Sequence, residues 1–90
     1  MEDLSPMLTE YYETIGVIPN NTRQEDQVFA RSAMMVVMRE YMTLMQIGRI
    51  FDRNHASVLH AIRHHEMNYK WSKMYQHFYE VAQRVFKENP

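Results

Sequence analysis

The stretch Ile47-Gly48-Arg49-Ile50-Phe51-Asp52-Arg53-Asn54-His55-Ala56-Ser57-Val58-Leu59-His60-Ala61-Ile62-Arg63-His64 decides how the chain folds. Ile47, Ile50 and Phe51 fall on one face of a short helix. Asp52, Arg53 and Asn54 then break the apolar pattern with turn and cap chemistry. Asn54 suits an N-cap, because its side-chain oxygen can accept from an unsatisfied N–H in the first turn of a following helix. In that second helix Val58, Leu59 and Ile62 form a narrow apolar stripe beside Ala61. His55, Ala56, Ser57, His60, Arg63 and His64 occupy the opposite face. Two short helices joined this way make a helix-turn-helix, whose second helix can enter the DNA major groove with its polar face toward the bases.

The flanking segments predict an all-α domain of five or six helices over residues 1–90. From about Asp3 to Thr14, Leu4, Met7, Leu8, Tyr11 and Tyr12 recur at helical spacing, Ser5-Pro6 resembles a helix start, and Gly16 a stop. Pro19-Asn20-Asn21 marks a loop. A longer helix is expected from about Glu25 to Tyr41, capped by Thr22 or Asn21, with Val28, Ala33, Met34, Val37, Met38 and Tyr41 inward. Its methionines, with Met42 and Met45, are expected to fill core gaps. Thr43 can cap the next helix. The second motif helix should continue to about Tyr69, and a last helix should span Ser72 to Lys87, with Trp71, Met74, Tyr75, Phe78, Val81, Ala82 and Val85 on one face.

Composition narrows the function. Ninety residues with 46% hydrophobic content are enough for one domain. Cysteine is absent, which removes disulfides and thiolate metal sites. Acidic Glu2 and Asp3 stand where a secretory signal would be basic, and no apolar run reaches membrane-spanning length, so a cytoplasmic protein without membrane contact is expected. Net charge is −1, but unevenly spread: residues 1–26 hold six acids and one base, residues 27–90 nine bases and five acids. The helix-turn-helix lies in the basic part. His60 and His64 share a helix face at i, i+4, yet a metal site would need a third ligand such as Glu66 or His77, and none is expected. No Gly-rich phosphate loop and no nucleophile–base motif is present, so neither a cofactor nor an enzyme is expected.

The wording of the motif resembles the C-terminal DNA-binding domain of the bacterial chromosomal replication initiator DnaA, a Trp-repressor-like helix-turn-helix. That family has an Ile-Gly, a Phe four residues beyond the Ile, and a signature close to Arg-Asp-His-Thr-Thr-Val-Leu-His-Ala. The slots here hold Ile47-Gly48, Phe51 and Arg53-Asn54-His55-Ala56-Ser57-Val58-Leu59-His60-Ala61, six of nine signature positions being identical. Glu10-Tyr11-Tyr12 and Ala30-Arg31 extend the likeness toward the N-terminus. The resemblance implies sequence-specific binding of double-stranded DNA, as a replication or transcription regulator without the family's nucleotide-hydrolysing domain, with a replication or regulatory protein as a further partner.

By that resemblance Arg53 meets phosphate or guanine, His55 a base edge, Ser57 and His60 the backbone, and Arg63 and His64 occupy basic positions. Asn54 replaces an aspartate and Ala56 a threonine, keeping only a methyl. Arg23 matches the arginine of a basic loop that enters the minor groove, although Gln24-Glu25-Asp26 follows it here; Arg31 and Arg39 are candidates for phosphate contacts. The competing expectation is a protein-interaction module that kept the fold and lost DNA, suggested by the acidic loop, the Asn54 and Ala56 replacements and the near-zero net charge.

Overall fold

In the computed structural model, which describes residues 4–20 and 22–88, the chain forms five helices: α1 (Ser5–Ile15), α2 (Glu25–Met38), α3 (Leu44–Ile50), α4 (His55–Trp71) and α5 (Lys73–Glu88). No strand occurs among the described residues, so the domain is all-α. Asp3, where the first helix was expected to begin, and Asn21, one of two expected caps, lie outside the described residues.

α2 is the centre of the fold. It packs against both α4 and α5, while α1 leans on α5, α3 on α4, and α4 on α5. Ala30, Ala33, Met34, Met35, Val37 and Met38 are buried along it, so its apolar surface is wider than a single stripe. Its methionines fill the core as expected, but Met45 on α3 is exposed. Tyr11 on α1 is fully buried and donates from its hydroxyl to the Ala30 carbonyl at 2.7 Å, so this large side chain leaves no unsatisfied polar atom. Burial first, then the neighbouring Tyr12 and Tyr75, holds the Tyr11 phenol protonated far above its usual range.

The helix boundaries follow local chemistry. α1 has Pro6 in its first turn and ends at Gly16, whose φ of 74° turns the chain so that the next N–H, that of Val17, reaches back to the Tyr12 carbonyl at 3.1 Å. α2 departs from expectation at both ends. Its N-cap is Gln24, with no side-chain cap bond; Thr22 instead donates to Asn20, and the acids Glu25 and Asp26 fill the first turn, where the helix dipole favours negative charge. The helix closes at Met38, three residues early, and Tyr41 lies beyond it, stacked on Phe86 with ring centroids 4.8 Å apart. α3 opens with a capping box: Thr43 Oγ1 accepts from Gln46 N–H and Gln46 Oε1 from Thr43 N–H.

A single extended residue, Ser72, separates α4 from α5. It ends the first helix and caps the second, its hydroxyl accepting from Tyr75 N–H at 3.1 Å. This corner corrects the expected place of Trp71. Trp71 belongs to α4, thirteen residues beyond buried Val58, and at 3.6 residues per turn it points to the opposite side, 76% exposed. The remaining buried face of α5 is as expected: Tyr75, Phe78, Val81, Ala82 and Val85. His65 ties the two helices through a 2.8 Å hydrogen bond between Nδ1 and the Tyr75 hydroxyl, with the Tyr79 ring 4.5 Å away.

The joint between α3 and α4 leaves no room for a side chain at Gly48. A Cβ built on Gly48 would lie 2.4 Å from the Arg53 carbonyl oxygen and 3.4 Å from its carbon. Arg53 N–H donates to the Gly48 carbonyl at 2.7 Å, and Asp52, at φ 54°, turns the chain between them. Ile47 and Val58 are fully buried beneath the joint.

Gly48→Ala should therefore cost about 1–3 kcal/mol, since the obstructing atom is backbone and cannot rotate away; thermal unfolding followed by circular dichroism measures it. His65 supplies a pH dependence. Burial, partly opposed by Glu66, places its folded pKa below the unfolded value of 6.5. The neutral ring is thus favoured by folding, and its contribution is present above pH 6.5 and lost as pH falls through the lowered folded pKa. Unfolding midpoints of His65→Gln should vary less between pH 7.5 and 5 than those of the parent protein.

Candidate nucleic-acid interface

The first turns of α4 are built to face outward. Asn54 Oδ1 accepts from Ser57 N–H at 3.0 Å and from the Ser57 hydroxyl at 3.4 Å, capping the helix as the sequence predicted. Asn54, His55, Ala56, Ser57, His60, Arg63 and His64 are all exposed, whereas Val58 and Ala61 are buried. No other part of the described chain covers the polar face. His60 and His64 stand one turn apart with ring centroids 4.0 Å apart. No group of three or more metal-ligating side chains gathers among the described residues.

Beside this face runs an open groove of about 510 Å³, bounded by α4, α2 and the loop before α2. Arg23, Arg31, Arg53, Asn54, Ala56, Ser57 and His60 line it, with Val28, Ser32 and Met35 as its floor, and none of these lining residues is acidic. Seven of the eleven residues singled out from the sequence thus meet in one concavity, although up to 37 positions separate them in the chain. His55, Arg63 and His64 are on the exposed surface of α4 outside the groove lining. Arg39 stands apart: it caps the far end of α2, eight residues or about 12 Å along the axis from Arg31.

Electrostatics within the groove are dominated by guanidinium groups. The Arg31 pKa is lowered first by burial and then by the positive charge of Arg53, a sign that the two cations are held close. A concavity lined by these cations suits an incoming anion. Glu25 and Asp26, the acids that follow Arg23, are placed in the first turn of α2, where Asp26 Oδ1 accepts from Gln27 N–H at 2.8 Å.

Arg31 has a second task that the sequence did not reveal. Its two terminal nitrogens donate to the carbonyls of Asn20 and Thr22, at 3.2 and 3.1 Å, and so hold the loop that presents Arg23. Gln27 completes the clamp: buried on α2, it accepts from Asn20 N–H at 3.0 Å and donates to the Ile18 carbonyl at 2.6 Å. Neither role has a local signature, since a Gln and an Arg early in a helix are usually solvated. On the other side of Arg31 lies a larger cleft, about 860 Å³, between α1, residues 16–20 and the end of α3.

A helix-turn-helix with its second helix exposed beside a cationic groove defines a recognition domain of the helix-turn-helix class. Over residues 8–64, from α1 into α4, the sequence matches the family described as the bacterial dnaA protein helix-turn-helix. The chain belongs to that family. No curated protein and no solved structure gives a match. The last two turns of α4 and all of α5 lie beyond the matched region. Among the described residues no helix is long and apolar enough to cross a membrane.

The clamp makes Arg31→Lys non-conservative, because an ammonium cannot span two carbonyls as a planar fork does. Amide hydrogen exchange at Asn20 and at residues 22–24 should speed up several-fold in this variant while the core of α2 stays protected.

Proposed function

We propose that the domain binds double-stranded DNA sequence-specifically, with the N-terminal turns of α4 in the major groove and Arg23 directed at the adjacent minor groove. The observation that carries this reading is the acid-free groove uniting Arg23, Arg31 and Arg53 with the cap of α4. Membership of the dnaA helix-turn-helix family supports it, and a role in replication or transcription regulation follows from the same membership.

Each side chain then has a distinct job. Arg53, at the mouth of α4, binds phosphate or forks onto guanine O6 and N7. His55 presents a ring edge to a base, and the Ala56 methyl meets a thymine methyl. Ser57, His60, Arg63 and His64 follow the backbone along the groove wall. Arg31 acts mainly by positioning, since two of its donors are committed to the loop. Asn54 carries the departure in specificity. Its oxygen is occupied by the cap, so what remains for a base is the amide N–H pair. A pure donor selects an acceptor edge such as guanine O6/N7 or thymine O4, where the family's aspartate would accept from cytosine N4.

Selection from a randomised duplex pool, followed by titration against salt, tests this. With about three or four phosphates neutralised, the observed association constant should fall roughly 40- to 150-fold between 50 and 200 mM salt. Arg53→Ala should cost about 1–3 kcal/mol and relax the preference at one position. The selected site should show an acceptor-rich base facing Asn54; cytosine there would refute that assignment. A flat salt response with no enriched sequence would leave the protein-interaction reading in its place.

A further inference from the structure

The molecule carries a knob and a hole at opposite ends of α4. The knob is its C-terminal turn. Trp71, 76% exposed, and Met67, 66% exposed, lie one turn apart on the same side. Lys70 Nζ sits 5.1 Å above the indole, and Lys73 follows directly across the Ser72 corner. An indole and a thioether so exposed in a small domain are costly to leave hydrated and gain by burial in an apolar site. The hole is the 860 Å³ cleft on the far side of Arg31. Leu8, Tyr12, Val17, Ile50 and Phe51 give it apolar walls, Ile18 stands 85% exposed at its edge, and Glu13 and Asp52 are the acids on its rim.

The two surfaces complement each other in charge and in their apolar character. The knob is aromatic and flanked by the cations Lys70 and Lys73; the hole is largely apolar, and its lining holds two carboxylates, Glu13 and Asp52, against one cation, Arg31, whose fork is turned to the loop carbonyls. They cannot meet within one molecule. Asp52 lies three residues before the start of α4 and Trp71 ends it, so a helix of seventeen residues, about 25 Å long, holds them apart. We propose that they meet between molecules: Trp71 of one copy inserts into the cleft of the next, with Lys70 and Lys73 facing Glu13 and Asp52. This contact is heterologous, joining two different patches, so it propagates head to tail instead of closing a two-fold pair. Apart from Arg31, which lines both concavities, the cleft shares no lining residue with the cationic groove, and the contact stands whether or not the domain binds DNA. One indole and its neighbours bury less than a standard interface, which makes the free association weak and gives it force where copies are already neighbours.

Two properties of the sequence make the test clean. Trp71 is the only tryptophan, and there is no cysteine. Emission of the parent protein should move to the blue as concentration rises from about 1 µM to about 1 mM, the range expected for a weak contact. For connectivity, single-cysteine variants Met67→Cys and Ile18→Cys are cross-linked with a short bismaleimide. Head-to-tail docking gives covalent dimer in the mixture and little with either variant alone. Adding Trp71→Ala to the Met67→Cys protein should lower the mixed product about tenfold, as for an aromatic anchor. Adding Lys70→Glu should also lower it, and Glu13→Lys on the partner should restore part of the loss. Because Trp71 is on the surface, circular dichroism should show both variants folded. Strong self-cross-linking of Met67→Cys alone would mean a two-fold pairing of knobs and overturn the proposal. So would absence of the mixed product at about 1 mM, or a mixed product indifferent to Trp71→Ala.

Discussion

The approach of the Gly48 and Arg53 backbones is the constraint on which the rest of the site depends. An N–H and a carbonyl meet at 2.7 Å across a turn of four residues, and the space that would hold a side chain on residue 48 is filled by a carbonyl oxygen. This fixes the angle at which α4 leaves α3, with Ile47 and Val58 sealed underneath. It also fixes where the Arg53 side chain begins, and so brings its charge to the wall of the groove. Asp52 accepts a left-handed conformation to make the turn, which acidic and amide side chains tolerate better than most. The cap by Asn54 then starts α4 on the next residue.

Much of this was legible in the sequence because it rests on short-range chemistry. Thr43 and Asn54 are caps by residue type and position, Gly16 is a stop, and the buried faces of α2 and α5 follow from periodicity. The misplacements share a cause: they depend on phase across a junction. Trp71 fits the stripe of α5 when the count runs straight through Ser72, and it is on the wrong side once α4 is seen to own it. Tyr41 likewise fits a continued α2, but the helix has already ended. At the site, the residues that face outward could be named in advance, whereas the clamp by Gln27 and Arg31 could not. Its hydrogen bonds go to backbone carbonyls and amides nine to eleven and seven to nine residues away, and backbone groups carry no mark in a sequence.

Net charge was the least informative quantity. A sum of −1 conceals a groove whose lining residues include three arginines and no acid. The carboxylates nearest in sequence to Arg23 are placed in the first turn of α2, where they stabilise a helix that begins without a side-chain cap. Acidity beside a basic loop is thus explained by helix initiation and need not oppose an anion.

Arg31 divides two concavities, since it lines both the cationic groove and the apolar cleft while its fork grips the loop. A side chain with three simultaneous duties narrows the paths open to mutational drift. Lysine at this position would preserve the protein's charge and be invisible to any tally of basic residues, yet it would unfasten the loop and reshape both concavities at once. Glutamine could keep one carbonyl and would discard the cation. The guanidinium is therefore the part of this surface with the fewest substitutes, although in the linear chain it is an ordinary arginine on an ordinary helix.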